Sequence, residues 1–319
     1  MQTSVFKRKA AFCGAYTTPM KNSLDSRGQA SDKHAMMIGV LWMSGCVASF
    51  IAMALSSREL ADTMPIMQVL LLRSAVGLPV MLILARHLLP ELMQLRDLRL
   101  HLVRNIVHFS AQYCWTVGIV LLPLAYVFAL EFTMPIWVGI FAWMALGERI
   151  SRARMLAMVV SFIGVLIILR PDAGLDPAAL IVLAAAAGYG ASAVFVKRLI
   201  AHSSPAIIVT WMAIMQLPMA VLMLLITGGW VLPVWGDTPW ILVLGLTTLS
   251  AHYTMARALR VMDASLAIPI DFLRVPLIAI IGWVFYGEAV GAAVFIGTAL
   301  IAGANFVAVR AETKAARRR

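Results

Sequence analysis

Ten runs of mainly apolar residues, separated by short polar breaks, account for nearly all of the chain: 36–55, 65–89, 103–122, 125–146, 155–169, 178–196, 205–226, 240–259, 264–286 and 289–309. A helix needs about 20 such residues to cross the hydrocarbon of a bilayer, and all but the short fifth run come near that length. None shows the two-residue alternation of a membrane β-barrel. The pattern predicts an all-α membrane protein with ten transmembrane helices. The breaks are too short to hide a soluble domain.

A Pro-bounded break at 171–177 divides the runs five and five. An odd number of spans per half makes the two halves enter the membrane from opposite sides, the inverted-repeat plan of many secondary transporters. The expected organisation is a basic cytoplasmic tail (1–34), two inverted five-helix repeats (35–170 and 171–310) and a second basic tail (311–319). Two carboxylates mark the halves. Glu131 lies in the fourth run and Asp271 in the ninth, and each precedes a Gly-Glu pair by 17 residues, Gly147-Glu148 and Gly287-Glu288. Pro135 and Pro276 follow the two acids, and Gly164 and Gly303 recur in the runs after them. A carboxylate in hydrocarbon is costly unless it faces water, a partner charge or a ligand. Each Gly-Glu pair reads as a helix terminator at the interface, not as a substrate ligand.

Composition agrees with a membrane protein. The chain is 62% hydrophobic and 13% charged, against about 25% charged in soluble domains. Its net charge of +11 would point to nucleic acid in a soluble protein, but topology accounts for it without such a partner. With both termini cytoplasmic, the basic residues fall in the tails and inner loops. The exceptions are Arg58 and Arg170 in outer loops and Arg73 and Arg274 within the membrane. That is the positive-inside bias. Residues 1–34 hold no apolar run fit for a signal-peptide core. They read as a disordered basic tail, with Met1 and Met20 both open as the start, and the first span acts as an uncleaved anchor. Cys13, Cys46 and Cys114 lack metal-ligand spacing and read as packing residues.

At these residues the chain resembles the EamA-type drug/metabolite transporter superfamily. The resemblance rests on "MQVLLLRSAVG" with Arg73, on the long segment from "PLAYVFALEFTMPIW" to "GVLIILRP", and on "ARALRVMDASLAIPIDFLRVPLIAIIGWVFYGE". It covers roughly 36–310. It implies alternating access in a bacterial inner membrane, and a small-molecule substrate. The run Pro269, Asp271, Phe272, Arg274 is most similar to uptake carriers for riboflavin or S-adenosylmethionine.

Several buried groups are candidates for substrate binding or coupling. Asp271 and Arg274 are three apart on one helix face and can pair, either as a static strut or as a pair that opens during transport. Glu131 has no cation within a turn of its own helix. Its expected partner is Arg73, in the second run, unless Glu131 is held protonated because burial disfavours the charged form. A carboxylate that alternates between two aqueous sides would be enough for proton coupling. Arg73 is too deep to reach the headgroups and serves as a structural ion pair or a clamp for an anionic substrate. His108 and His252 occupy matching third and eighth runs, where each can bridge helices or bond substrate. Trp115, Trp137 and Tyr189 are packing residues or stacking surfaces for a planar solute, whereas Trp230, Trp235 and Trp240 read as interfacial anchors. The small-residue stretch 184–193, with Gly188 and Gly190, allows close helix approach.

The leading expectation is a carrier for riboflavin or a similar planar or adenosyl nutrient, with efflux of amino acids or drugs as the runner-up. No Walker loop points to ATP. No paired acids or metal-ligand cluster points to an enzyme, and no cofactor or metal is expected. A non-transporting scaffold would instead seal Glu131 and Asp271 in separate dry interfaces. The chain would act as monomer or homodimer.

Overall fold

A computed structural model describes residues 26–84, 86–94, 96–147, 150–170, 176–262 and 264–317. Its long elements are all helical, and no strand occurs among the described residues. In chain order they are α1 (Ser26–Thr63), α2 (Ile66–Leu84), α3 (Leu98–Leu121), α4 (Leu124–Glu131), α5 (Met134–Leu146) and α6 (Arg152–Leu169). The second half continues with α7 (Pro177–Leu199), α8 (Pro205–Thr227), α9 (Thr238–Val261), α10 (Ala264–Phe272), α11 (Arg274–Tyr286) and α12 (Ala292–Arg317). The starts follow local chemistry. Ser151, Asp176 and Ser204 cap α6, α7 and α8 by accepting backbone N–H bonds, and Pro177 and Pro205 take the first helical position, where no N–H is needed.

Among the described residues, eight spans are long and apolar enough to cross a membrane, with α4–α5 counted as one and α11 extended back to Pro269. The remaining two long helices, α3 and α9, carry several of the interior's polar residues, among them Arg104, His108, Gln112, Thr248 and Thr254. At 24 residues each they rise roughly 36 Å.

The fourth and ninth runs are not continuous helices. Each breaks directly after its carboxylate region, at Phe132–Thr133 and at Leu273. The cause lies four residues downstream of the last free carbonyl. Pro135 cannot donate to the carbonyl of Glu131, nor Pro276 to that of Phe272, and each ring clashes with that carbonyl. At their far ends α5 and α11 stop as expected, on Gly147 (φ 65) and Gly287 (φ 64) in the left-handed region that glycine tolerates.

Other boundaries differ from the sequence expectation. Helix α1 begins at Ser26, so residues 26–34 are helical rather than irregular, and α12 runs on through Arg317. Residues 1–25, with Cys13, and the pair Glu148–Arg149 lie outside the described residues.

The bundle centres on α4, where Leu124, Ala125, Val127, Phe128, Ala129 and Leu130 are fully buried. It packs against α7 and α11, while α1 packs along α9, α3 along α7, α2 along α8 and α6 along α12. Close approach is set by small residues. A Cβ on Gly164 would lie 2.7 Å from the Gly297 carbonyl oxygen, and one on Gly190 would lie 2.7 Å from Trp137 Cβ. The outward face is apolar, with Leu225, Ile226, Phe285 and Met144 all exposed, as lipid requires and water would not tolerate.

Candidate functional site

The helix breaks bring the two carboxylates to one cation. Arg274 opens α11, and its Nη2 lies 2.7 Å from Asp271 Oδ2 while its Nη1 lies 3.6 Å from Glu131 Oε1. Its Nε donates to the Asp271 carbonyl oxygen at 3.3 Å. Three rings enclose the guanidinium, those of Phe50 at 4.3 Å, Phe132 at 4.8 Å and Phe128 at 5.6 Å. Phe132 and Phe272, each the residue after its acid, touch with ring centroids 4.1 Å apart. Trp115 Nε1 donates to Glu131 Oε2 at 2.8 Å. Arg274 Nη1 and Asp271 Oδ1 are buried without a hydrogen-bond partner, so the cluster is incompletely bonded. One cation between two acids, in surroundings that strengthen every charge interaction, holds the two halves together through charge.

This arrangement corrects the expected Glu131–Arg73 pair. Arg274 takes Glu131, because both sit where their spans break at the centre. Arg73 instead donates to Gln216 Oε1 at 3.3 Å, and the Gln216 amide nitrogen lies 3.0 Å from His108 Nδ1. The His108 ring meets the Tyr189 ring edge-on at 5.4 Å. Tyr189 lies within electrostatic range of both Arg73 and Glu131, so it sits between the acidic cluster and a basic one.

His252 joins the basic group electrostatically, near Arg73, Arg104 and His108. Trp137 stands apart from both clusters, stacked on Phe141 with its Nε1 buried and unbonded. Cys46 is buried and Cys114 half-buried, both as free thiols. Among the described residues no group of three or more His, Cys, Asp or Glu could hold a metal.

Arg104 and Gln216 were missed by sequence reasoning. Arg104 was counted among inner-loop basic residues, but α3 begins at Leu98 and buries it. The signal was present in the chain. His101, Arg104, Asn105, His108, Gln112, Trp115 and Thr116 recur at helical spacing and form one buried polar face of α3.

Beside the acidic cluster lies a cavity of about 320 Å³, lined by Met134, Pro135, Asp271, Phe272 and Asn305 among others, with Arg154 and Glu312 also on its wall. Those last two pair at 3.4 Å and are about one third exposed, so they mark its open end. Asp271 lines it; Glu131 does not. At the other end of the bundle polar contacts tie the helices together. Arg58 pairs with Glu288, which also accepts from Leu124 N at 2.8 Å and so caps α4. Tyr286 donates to Glu59 at 2.5 Å, and Gln68 exchanges two bonds with the Val231 backbone.

Charged groups converging inside a bundle of membrane-length helices mark a polytopic membrane protein with a functional site in its interior. The model of the EamA-like transporter family matches residues 37–170 and again 176–310. The chain belongs to that family and is a multi-pass membrane transporter of small molecules. It is similar to a riboflavin transporter of Rhizobium johnstonii, 31% identical over 68% of this chain and 72% of that one. A riboflavin transporter of Vibrio cholerae is 28% identical over 90% of this chain and 98% of its own. An S-adenosylmethionine uptake transporter of Rickettsia prowazekii is 23% identical over 67% and 72%.

Proposed function

We propose that the protein is a secondary carrier of the bacterial inner membrane that takes up riboflavin, or a similar planar or adenosyl nutrient, by alternating access. The names of the similar proteins support the substrate class. The observation that carries the mechanism is the Arg274 cluster, in which the broken fourth and ninth spans share one cation.

Ten spans in two inverted repeats, 35–170 and 171–310, underlie the mechanism, with α3 and α9 as the polar inner spans and both tails cytoplasmic. An offset of 140 residues relates Glu131 to Asp271, Phe132 to Phe272, Gly147 to Gly287, Tyr113 to Tyr253 and Arg58 to Arg198. The packing obeys the same exchange. The α1–α9 contact becomes α7–α3, α5–α7 becomes α11–α1, and α2–α8 and α6–α12 map onto themselves. The two separate matches of the family model support the same division.

Exchange fails at several contacts, among them α1–α3, which α7–α9 does not match, and the failure around α4 and α10 supports alternating access. Helix α4 packs on α11 and α12, but its counterpart α10 makes no comparable contact with α5 or α6. The cavity beside Asp271 opens at that looser place. A carrier caught open to one side has this asymmetry, and the opposite state closes it and opens the Arg58–Glu288 end.

The test is uptake of labelled riboflavin and S-adenosylmethionine by cells that lack their own carriers, with and without a protonophore. Accumulation of either compound, abolished by the protonophore, is the expected result. No accumulation of either by cells with the protein in the membrane would remove the uptake reading. Release of preloaded amino acids or drugs would replace it with export, and no movement of any solute would leave a scaffold.

A further inference from the structure

Five charged side chains lie inside the bundle, and their charges do not cancel. Arg274 takes both carboxylates. Arg73 and Arg104, each less than a tenth exposed, have no carboxylate within 4 Å among the described residues. Arg73 makes its hydrogen bond to Gln216, and Arg104 makes one to its neighbour Asn105 at 2.9 Å while its Nε stays buried and unbonded. A guanidinium offers five donors, so most of this capacity is unused. A buried cation without an anion is strongly unfavourable, and chains keep such groups in membranes where a ligand or pathway needs them.

The surroundings are arranged for an acceptor. Arg73 holds the Gln216 amide oxygen, which turns the amide nitrogen toward His108 Nδ1. His108 therefore accepts at Nδ1, and its proton sits on Nε2 as a further donor. His252 lies within electrostatic range of both arginines. Arg104 and His108 are four residues apart on the polar face of α3, so donors from α2 and α3 point into one region. Glu131 and Asp271 both go to Arg274 instead.

We infer that Arg73 and Arg104 form an anion site, and that the transported molecule carries a carboxylate or phosphate which docks there. The inference deepens the carrier reading by narrowing it to those adenosyl or other planar nutrients that carry such a group, which riboflavin itself does not, and it rests on that reading for the planar part of the substrate. The anionic group neutralises the arginines, and the ring system extends past Tyr189 toward the Arg274 cluster. A guanidinium favours a planar or tetrahedral oxyanion, which its fork binds through two parallel bonds.

Thermal unfolding of the purified full-length protein in detergent tests the site apart from transport. Inorganic phosphate and acetate, compared with chloride at equal ionic strength, should each raise Tm in the wild type, since a ligand of the native state stabilises it. A rise with phosphate alone assigns a phosphate group to the substrate, and a rise with acetate alone assigns a carboxylate. Arg73→Gln and Arg104→Gln should abolish the rise. In chloride, Arg104→Gln should melt no lower than the wild type, because it removes an unpaired charge. The site is overturned if neither anion raises Tm beyond chloride. It is equally overturned if the rise persists in both variants, or if Arg104→Gln melts lower in chloride and keeps the rise, which would make Arg104 structural.

A second arm compares neutral and phosphorylated forms of one ring system, riboflavin with its 5′-phosphate and adenosine with its 5′-monophosphate. The phosphorylated member should bind at least about tenfold tighter, a charge-assisted bond being the difference, and Arg104→Gln should level the pair. If the inorganic anions bind but no ring compound does, the planar-substrate reading fails and the anion site stands. If the rings bind equally well with and without phosphate, the substrate's anionic group is overturned.

Discussion

Arg274 is held unequally by its two acids, and that inequality separates their roles. Asp271 sits at full ion-pair contact, whereas Glu131 stays at 3.6 Å and is tied to Trp115. Asp271→Asn therefore leaves Arg274 with one loose partner, and it should cost about 3 to 5 kcal/mol, the usual loss when half of a buried pair is removed. Glu131→Gln keeps an oxygen for Trp115 and leaves the tight pair intact. It should fold with a Tm near the wild type yet lose uptake and its dependence on external pH, if Glu131 carries the coupled proton. Both outcomes can be read from Tm and uptake on the same purified and cellular material. Equal destabilisation by the two variants would refute this division of roles. Both acids were legible in the chain because a carboxylate in an apolar run has few bland explanations. Their shared partner was not. Arg73 and Arg274 are alike in sequence, and only the paths of the two broken spans decide which one reaches Glu131. Arg104 stayed hidden for a different reason: a basic residue near the start of a run looks like the positive-inside loop it borders.

Each broken span owes its shape to a proline that was visible in the sequence, although the break itself was not anticipated. Pro135 and Pro276 leave the carbonyls of Glu131 and Phe272 without their helical donors, which sharpens the bend where the acids must face the centre. Pro276→Ala restores that donor and straightens the ninth span. The variant should melt higher than the wild type and transport more slowly, since a continuous helix resists the repacking that opens and closes the cavity. A lower Tm with normal transport would show that the proline only packs. The crossing of α6 and α12 makes a complementary prediction. Gly164→Val drives a side chain into the Gly297 carbonyl, and overpacking of this kind should cost roughly 1 to 3 kcal/mol, read as a drop in Tm. Sequence periodicity pointed to small residues as the means of close approach. It matched Gly164 with Gly303, however, whereas the structure places Gly297 at the contact, because the crossing point depends on the angle between helices and not on their spacing in the chain.

At the scale of the molecule, the ends of the bundle are built differently, and each is fastened by residues 140 apart. Arg58 pairs with Glu288 at one end, and at the other Arg198 donates to the Ala145 carbonyl. The first fastening is the stronger, since Glu288 also caps α4, and it lies on the side opposite the open cavity. The spacing of 17 residues from acid to Gly-Glu carried the symmetry of the halves into the sequence, but not which end is shut, because both ends have the same pattern. If Arg58–Glu288 is the outer seal, weakening it should expose the interior to the outside. Cys46, buried midway along α1, is a reporter already in place. In a Cys13→Ser, Cys114→Ser background, an impermeant thiol reagent added outside intact cells should label Cys46 slowly. Adding Glu288→Gln should speed labelling by about tenfold, the ratio expected when one charge-assisted contact worth about 1.4 kcal/mol is lost from the closed state. Arg198→Gln should have the opposite effect, because loosening the inner end leaves the outer seal favoured. Equal labelling in all three proteins would mean that neither fastening controls access, and the ion pair at Glu288 would then serve α4 alone.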